Sequence, residues 1–316
     1  MVDGGPLGRH VHTTGGLTAA LGRAHAAGYQ VVQVFPGNPR GWRHTPLDSA
    51  AAANARAMAT QLAMAPAVIH APYIINIASS DKALRENSTR ALGHALDRAV
   101  EIGADAVVVH AGSTGGDAPD EAIARVASLI EGVLNARGPR ATFFPRLLLE
   151  NSAGARNALG GSPEVLGLLL AALPDEVGAC VDTAHLWGSG CDLSTREGVE
   201  DAVEALDRHV GLERIVVLHV NDSVVGLGSK RDVHARLGEG QIGLRGLAAW
   251  MAHGALIGKT TIMETPLEDD PVREALRRAL AQRLREGDVD AATAILATLA
   301  PGTSVPLSSP DEDDLS

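Results

Sequence analysis

The sequence contains few cysteines, few aromatic residues and no long apolar run. Its 316 residues include two cysteines, and aromatic residues make up 3% of the chain. Two cysteines cannot build a disulfide scaffold, so we expect Cys180 and Cys191 to be free thiols, as is usual in a reducing compartment. No apolar stretch approaches the roughly 18 residues that cross a bilayer, and the first residues lack the pattern of a signal peptide. We therefore predict a cytoplasmic protein with no membrane partner.

Positive charge is also scarce. The chain has 27 lysine and arginine residues against 38 aspartate and glutamate residues, a formal net charge of −11. Such a protein lacks an extended basic surface, so we do not expect it to bind nucleic acid non-specifically. If it acts on DNA, a local feature must reverse the negative field.

The chain does contain a repeated unit, a short apolar strand followed by a helical stretch. Eight strands are predicted, at 7–11, 31–35, 67–70, 106–110, 146–150, 178–182, 214–220 and 260–264. The clearest helical segments between them are 48–64, 81–102, 120–136 and 196–208. Eight alternating units predict an α/β fold, the (β/α)₈ TIM barrel. An open doubly wound sheet is the alternative, but it needs a glycine-rich phosphate loop that residues 12–16 match poorly.

The last fifty residues depart from this pattern. Asp270 and Pro271 predict the start of a helix that Gly287 ends, and a second short helix is predicted from about Val289 to Leu299. Residues 301–316 are rich in proline and serine and then acidic, which predicts a disordered acidic tail. We therefore divide the chain into a barrel domain (1–286), an additional helix (287–300) and the tail (301–316).

Metal-competent side chains end seven of the eight predicted strands. In a (β/α)₈ barrel the active site lies at these C-terminal strand ends. Only the second strand, which ends in Phe35, lacks such a group. A lone histidine there is more often a hydrogen-bonded core or rim residue than a ligand. Buried carboxylates such as Glu150 and Glu264, however, need a cation or several donors, so the set as a whole predicts a metal site.

Nine residues are candidate metal ligands. His10 is not counted among them, because we expect it to contact the ligands and not the metal. They are His70, His110, Glu150, Asp182, His185, His219, Asp232, His234 and Glu264. Imidazoles and carboxylates without thiolates suit Zn²⁺, with Mn²⁺ or Fe²⁺ as substitutes. Nine ligands are too many for one ion and fit three ions that share a bridging carboxylate. Clustered metals of this kind are typical of phosphate-ester hydrolysis.

Three strings of residues carry a family resemblance. They read His70-Ala-Pro-Tyr73-Ile-Ile-Asn76, Gly178-Ala-Cys-Val-Asp182-Thr-Ala-His185, and His219-Val-Asn221-Asp222-Ser223 leading to Gly228-Ser229-Lys-Arg-Asp232-Val-His234. With shorter segments around Glu150, Gly240 and Glu264, they resemble the motifs of the endonuclease IV family, in order, from about Leu7 to Glu264. Members of that family are (β/α)₈ enzymes that bind three zinc ions and cut DNA beside abasic sites.

The resemblance implies an activity and a role for each candidate ligand. The reaction would hydrolyse the phosphodiester bond 5′ to an abasic site and leave a 3′-hydroxyl and a 5′-deoxyribose phosphate. Removal of 3′-blocking groups would be a second activity. Glu150 would be the catalytic carboxylate and bridge two zinc ions. The remaining ligands would form three sets: His70 with His110, Asp182 with His219 and Glu264, and His185 with Asp232 and His234.

The resemblance also implies double-stranded DNA with abasic sites as the partner. Asn38, Arg40 and Tyr73 stand where the family's DNA-contacting side chains lie, although an exposed loop arginine such as Arg40 needs no function. We expect the protein to act as a monomer, because a closed barrel completes its core within one chain.

Two positions depart from the family pattern. Gly41 replaces a polar residue, and Val224 replaces a lysine. Both changes remove potential contacts with DNA, and neither touches a candidate metal ligand. Lys230, Arg231 and Arg236 lie in the same region and are candidates to compensate.

Two other functions remain open. A metal-dependent sugar isomerase-like barrel would place Glu150 and Glu264 beside a small carbohydrate, but it leaves His70, His110 and His185 without a role. A non-catalytic DNA-damage binder would be expected to have lost a ligand, and none of the nine is missing.

Overall fold

The computed structural model describes residues 4–44, 46–137 and 144–300, and its centre is a closed barrel of eight parallel strands. The strands follow one another around the barrel in chain order, and the last pairs with the first. They are β1 (Leu7–His10), β2 (Val31–Val34), β3 (Val68–His70), β4 (Ala106–His110), β5 (Arg146–Glu150), β6 (Gly178–Asp182), β7 (Ile215–His219) and β10 (Thr260–Met263). The predicted TIM barrel is confirmed, and the open sheet is wrong.

Helices follow the barrel strands. They are α1 (Leu17–Ala26), α2 (Ser49–Gln61), α3 (Lys82–Ile102), α4 (Pro119–Asn135), α5 (Pro163–Ala171), α6 (Thr183–Ser189), α7 (Arg196–His209) and α8 (Gly243–Met251). The four segments predicted from periodicity correspond to α2, α3, α4 and α7. Asp48, Asp81 and Thr195 begin α2, α3 and α7 by accepting a hydrogen bond from a first-turn backbone N–H, which satisfies a donor that the helix leaves free.

A small hairpin lies in the connection between β7 and α8. Its strands, β8 (Asp222–Ser223) and β9 (His234–Ala235), pair in antiparallel fashion. The sequence did not predict them, because a two-residue strand is too short to show an alternating pattern.

The interior of the barrel is filled by one buried apolar cluster. Its members are Val31, Val68, Ala106, Val108, Leu148, Cys180, Val217 and Ile262. Side chains two residues apart on a strand point to the same face. On each of these strands, the residue two positions further along the chain therefore also points inward. It lies directly above this apolar layer, toward the C-terminal end of the strand.

The C-terminal segment packs on the barrel through two helices, α9 (Pro271–Arg285) and α10 (Val289–Thr298). Both were predicted, and Asp270 begins α9 by accepting a hydrogen bond from the backbone N–H of Val272. The carboxylate of Glu274 on α9 is buried. It forms an ion pair with the Arg9 guanidinium at 3.4 Å and accepts a hydrogen bond from the Tyr29 hydroxyl at 2.5 Å. The predicted acidic tail, 301–316, lies outside the described residues.

Within the described ranges, no helix is both long enough and apolar enough to cross a membrane.

We predict that truncation of the barrel interior is costly. Leu148 is fully buried in the apolar cluster, so Leu148→Ala should lower the free energy of unfolding by about 2–5 kcal/mol, from lost burial and the cavity left behind. The matched control is Leu168→Ala on α5, where the side chain is 57% exposed and a change within about 0.5 kcal/mol is expected. Urea denaturation measures both, and equal losses would contradict the assignment of Leu148 to the core.

Candidate metal centre

The predicted site residues converge at one end of the barrel. His10, His70, His110, Glu150, Asp182 and His219 are the last residues of their strands, and Glu264 directly follows β10. The pairing register sets His110 opposite Glu150 and Asp182 opposite His219. Except for His10, these side chains occupy the inward position directly above the apolar cluster. The parallel strands therefore bring to one rim groups that lie far apart in the chain.

Glu150 is the centre of the arrangement. Its Oε2 lies 3.1 Å from His70 Nε2 and 3.3 Å from His110 Nε2. Its Oε1 lies 2.9 Å from His219 Nδ1 and 3.4 Å from His185 Nδ1. The carboxylate is 1% exposed, so each of its oxygens contacts two imidazoles and almost no solvent.

The remaining side chains come from α6 and the hairpin. The Asp182 carboxylate begins α6 by accepting a hydrogen bond from the backbone N–H of His185 at 2.9 Å, which fixes His185 one turn from the strand end. His234 lies on β9, and Asp232 just before it. One Asp232 oxygen is 3.1 Å from His185 Nε2, and the other is 2.9 Å from His234 Nε2.

Several sets of these side chains have ligand atoms close enough to hold a metal ion. The sets are His70 with His110 and Glu150; Glu150 with Asp182, His219 and Glu264; Asp182 with His185 and His234; and Glu150 with Cys180 and His219. The first two are the sets that the family resemblance implies. In the third, Asp182 stands beside the two histidines, whereas Asp232 bridges their outer nitrogens.

Cys180 is the member of these sets that the sequence did not suggest. It is buried in the barrel beneath His219, and burial raises the pKa of its thiol to about 12. Because Cys180 belongs to the apolar cluster that fills the barrel, we assign it to that layer.

The donor set fits divalent ions that prefer nitrogen and oxygen ligands. Among the described residues, the four carboxylates form ion pairs with histidines and not with lysine or arginine. Three buried imidazole nitrogens in the described part of the chain make no well-aligned hydrogen bond: His110 Nδ1, and His185 Nδ1 and His234 Nε2, which face carboxylate oxygens at 3.4 and 2.9 Å. Buried carboxylates without a permanent cation, beside imidazoles with unused nitrogens, are what a zinc-type site requires.

The electrostatics of the cluster point the same way. Burial alone would raise the pKa of Glu150, but His110 and His219 outweigh it and hold this pKa well below its ordinary value. Burial likewise favours a higher pKa for Glu264, yet His219 and His234 bring it to about 2. For His185, burial would lower the pKa, and Asp182 and Asp232 raise it. The carboxylates thus hold protons on His185 and His234, whereas burial lowers the pKa of His110, and a bound metal would displace such protons.

Hydrogen bonds from amide side chains hold the acidic groups in place. Asn221 Nδ2 donates to Asp182 Oδ2 at 2.6 Å and to Glu264 Oε2 at 3.2 Å, while its Oδ1 accepts from the Glu264 backbone N–H. Asn151 brackets the backbone of Asp182 by donating to its carbonyl and accepting from its N–H. The sequence motifs contain both asparagines, but spacing alone gave them no role.

The second strand contributes to the site through a residue that the sequence analysis did not single out. β2 ends at Val34, and its inward polar side chain is Gln33, which lies two residues before Phe35. A glutamine among the valines of a buried strand was the available signal. His10 packs against Phe35, with ring centroids 4.4 Å apart, and lies 3.1 Å from Gln33. Burial lowers the pKa of His10 to about 3, so this imidazole stays neutral.

Asp222 organises the connection that carries Asp232 and His234. Its buried carboxylate accepts hydrogen bonds from the backbone N–H groups of Ser223, Gly238, Gly240, Ile242 and Gly243. A Cβ at Gly240 would come within 2.5 Å of an Asp222 oxygen, so glycine allows this close approach. The motif containing Asp222 was recognised in the sequence, but this role was not.

The predicted DNA-contacting residues lie beside the metal centre. Tyr73 is 58% exposed, and its ring packs edge-on against Phe35 and His70 at centroid distances of 5.0 and 5.5 Å. Asn38 and Arg40 are exposed in the loop after β2, where Asn38 Oδ1 accepts from the Arg40 backbone N–H.

The basic residues suggested as compensation for Val224 differ in their surroundings. Val224, Lys230 and Arg231 are exposed, and the Lys230 backbone N–H donates to Gly188 O beside α6. Arg236 is instead held by Glu268 at 3.3 Å and by the Pro266 carbonyl. Lys230 and Arg231 therefore remain candidates, whereas Arg236 already has partners within the protein.

Comparisons with known proteins agree with this geometry. A family model described as a xylose isomerase-like TIM barrel matches residues 21–287. A protein named "Probable endonuclease 4" from Halothermothrix orenii is 36% identical over 262 residues, which cover 82% of this chain and 93% of that protein. The crystal structure of endonuclease IV from Thermus thermophilus is 35% identical, with a TM-score of 0.79, covering 89% of this chain and 99% of that one. A D-tagatose 3-epimerase-like protein has a TM-score of 0.66 at 18% identity, with 90% and 99% covered, and shares the fold alone.

We predict that the Asp222 carboxylate stabilises the protein. In Asp222→Asn, an amide NH₂ must replace one oxygen and face backbone donors, so the free energy of unfolding of the metal-free protein should fall by about 1–3 kcal/mol. The matched control is Asp192→Asn, since Asp192 is exposed and its carboxylate accepts hydrogen bonds from the neighbouring Ser194. Urea denaturation measures both variants, and an Asp222→Asn protein as stable as the control would disprove the role.

Proposed function

Since the chain belongs to the endonuclease IV family, we propose that it hydrolyses the phosphodiester bond 5′ to abasic sites in double-stranded DNA. The products would be a 3′-hydroxyl and a 5′-deoxyribose phosphate, and 3′-blocking groups would be removed by the same chemistry. One observation carries the proposal: four histidines surround the buried Glu150 carboxylate within 3.4 Å, beside a second group of acidic and imidazole ligands.

We propose three zinc ions as the cofactor, with Mn²⁺ or Fe²⁺ as substitutes. His70 and His110 would share Glu150 with a second set, which consists of Asp182, His219 and Glu264. His185, Asp232 and His234 would hold the third ion, an assignment that the distances from Asp232 to both imidazoles support. Zinc supplies Lewis acidity, which lowers the pKa of water and offsets the negative charge of a phosphate group.

The protein's own groups fix the ligand atoms. His70 Nδ1 lies 2.7 Å from the Ala71 carbonyl, and a carbonyl can only accept, so the neutral ring carries its proton at Nδ1. The lone pair of His70 is then at Nε2, which faces Glu150. Glu150 would orient the nucleophile from the midpoint of the cluster, while the apolar layer below it excludes water from that side.

Recognition of the lesion would depend on the exposed rim. An abasic nucleotide has no base to unstack, so turning it out of the duplex costs little. The exposed Tyr73 ring is held against Phe35 at the edge of the centre, where it could fill the gap left in the base stack. Arg40 and Asn38 would contact the backbone of the bent duplex.

The net charge is compatible with this partner. The chain carries −11, but three zinc ions would bring about six positive charges to a site with four carboxylates. A positively charged site within an acidic protein favours binding at a specific lesion over binding to DNA in general. We further propose a cytoplasmic protein. It would be a monomer, since the barrel is closed and none of its eight strands is left as an edge.

The sugar isomerase-like alternative has less support. It would use Glu150, Asp182, His219 and Glu264, which form one of the ligand sets. It gives no role to the set of His70 and His110 around Glu150, and the epimerase-like relative shares the fold alone.

We predict that Glu150 is required for cleavage. The zinc-loaded protein should cut a duplex containing one tetrahydrofuran abasic analogue on its 5′ side, and brief Mg²⁺ depletion should not prevent it. Glu150→Ala should reduce the rate by on the order of a thousandfold or more and lower the zinc content. The control is Glu164→Ala, an exposed glutamate of α5. Continued cutting by Glu150→Ala would refute its role, and ketose isomerisation with intact abasic DNA would favour the alternative.

We predict that Tyr73 contributes to lesion binding and not to metal binding. Tyr73→Ala should weaken binding to the abasic duplex about tenfold or more, from the loss of roughly 1–3 kcal/mol of stacking. Tyr73→Phe keeps the ring and should bind nearly normally. Electrophoretic mobility shift measures binding, and elemental analysis should show unchanged zinc. A loss of zinc in Tyr73→Ala would show instead that the ring supports the His70 ligand.

A further inference from the structure

Gln33 on β2 is a polar side chain inside the barrel to which the proposed reaction gives no role. It is 0% exposed and lies two residues after Val31, a member of the apolar cluster. The same step leads from Val68 to His70, from Leu148 to Glu150 and from Val217 to His219. Gln33 therefore occupies on β2 the position that candidate ligands occupy on the neighbouring strands.

The Gln33 amide joins three side chains of the centre. Its Nε2 lies 2.7 Å from Glu264 Oε1 and 3.1 Å from His10 Nδ1. Its Oε1 lies 2.8 Å from His219 Nε2. Both hydrogens of the NH₂ group and one lone pair of the oxygen are thus used, so each polar atom of this buried amide has a partner.

These contacts fix which way the amide points. A carboxylate oxygen only accepts hydrogen bonds, so the NH₂ group must face Glu264. The amide oxygen then faces His219 Nε2, and only a protonated nitrogen can donate to it. The lone pair of neutral His219 is consequently at Nδ1, which lies 2.9 Å from Glu150 Oε1 and 3.4 Å from Glu264 Oε2.

The same amide distinguishes the two oxygens of Glu264. Gln33 engages Oε1, whereas Oε2, which accepts from Asn221 at 3.2 Å, is the oxygen that faces His219 at 3.4 Å and His234 at 3.8 Å. His10 supports this arrangement by accepting the second amide hydrogen at its Nδ1. One side chain therefore orients two candidate ligands toward the same point.

We infer that Gln33 is a positioning residue that keeps the proton of His219 on Nε2 and turns Glu264 Oε2 inward, so that His219 Nδ1 and Glu264 Oε2 can bind one ion. The inference rests on the proposed function, because it takes these residues to hold zinc. Loss of a hydrogen-bond partner behind a metal ligand typically lowers metal affinity about 10- to 100-fold.

The test replaces the amide without changing its size. Gln33→Met removes donor and acceptor, and Gln33→Leu is a second variant with the same losses. The matched control is Gln30→Met, since Gln30 is exposed and its side chain accepts from the Leu7 backbone N–H outside the barrel. Zinc-loaded proteins are titrated with a chelator, and released zinc is measured against chelator concentration.

We expect wild type and Gln30→Met to release their zinc identically. Gln33→Met and Gln33→Leu should release one of the three ions at about 10- to 100-fold lower chelator concentration, with the other two unchanged. In ¹⁵N-resolved imidazole spectra of the loaded protein, the His219 Nε2 proton should exchange slowly in wild type and rapidly in both variants. The metal-free Gln33 variants should unfold at a somewhat lower temperature than wild type, because they lose buried hydrogen bonds, so the selective release of one ion is the deciding measurement.

Identical zinc release by all four proteins would overturn the inference while leaving the proposed function intact. Equal weakening of all three ions would show that Gln33 merely supports the barrel and would also overturn it. A wild-type protein that takes up no zinc would overturn the proposed function as well, so the two failures are distinguishable.

Discussion

The carboxylate of Glu150 is 1% exposed and lies between 2.9 and 3.4 Å from four histidine nitrogens. A buried negative charge is stable only with compensating positive charge or donors, and the described chain supplies no lysine or arginine there. The histidines, and the cations that they can bind, therefore satisfy a requirement that the fold itself creates. Asp182 and Glu264 are further carboxylates of the centre that need positive charge or hydrogen-bond donors, and histidines and Asn221 lie beside them.

The barrel meets the requirement by a simple alternation along its strands. One inward position carries an apolar residue, such as Leu148 or Val217, and the next carries a polar one, such as Glu150 or His219. Because the strands are parallel and the barrel is closed, all of the polar positions lie at one end. The apolar layer beneath them provides a buried base, and most of the candidate ligands lie at or next to barrel-strand ends, while His185, Asp232 and His234 come from α6 and the hairpin.

Residues behind the candidate ligands complete the centre. Asn221 joins Asp182 to Glu264, and Gln33 joins Glu264 to His219. Asp222 binds five backbone N–H groups and so shapes the connection that carries Asp232 and His234. These buried contacts contrast with the exposed Tyr73 and Arg40 at the rim, where a large, deformable partner such as a DNA duplex would bind.

The sequence by itself determined the eight strands, most of the helices and the identity of the nine candidate ligands. It could do so because the apolar pattern of a strand, and the residue at its end, lie within a few consecutive positions of the chain. Only the tertiary structure revealed the roles of Gln33, Asn221 and Asp222 and the carboxylates each histidine faces. Gln33 and His219 are 186 residues apart, and nothing local indicates that they meet. Their contact exists because the barrel closes, which places distant strand ends within hydrogen-bonding distance.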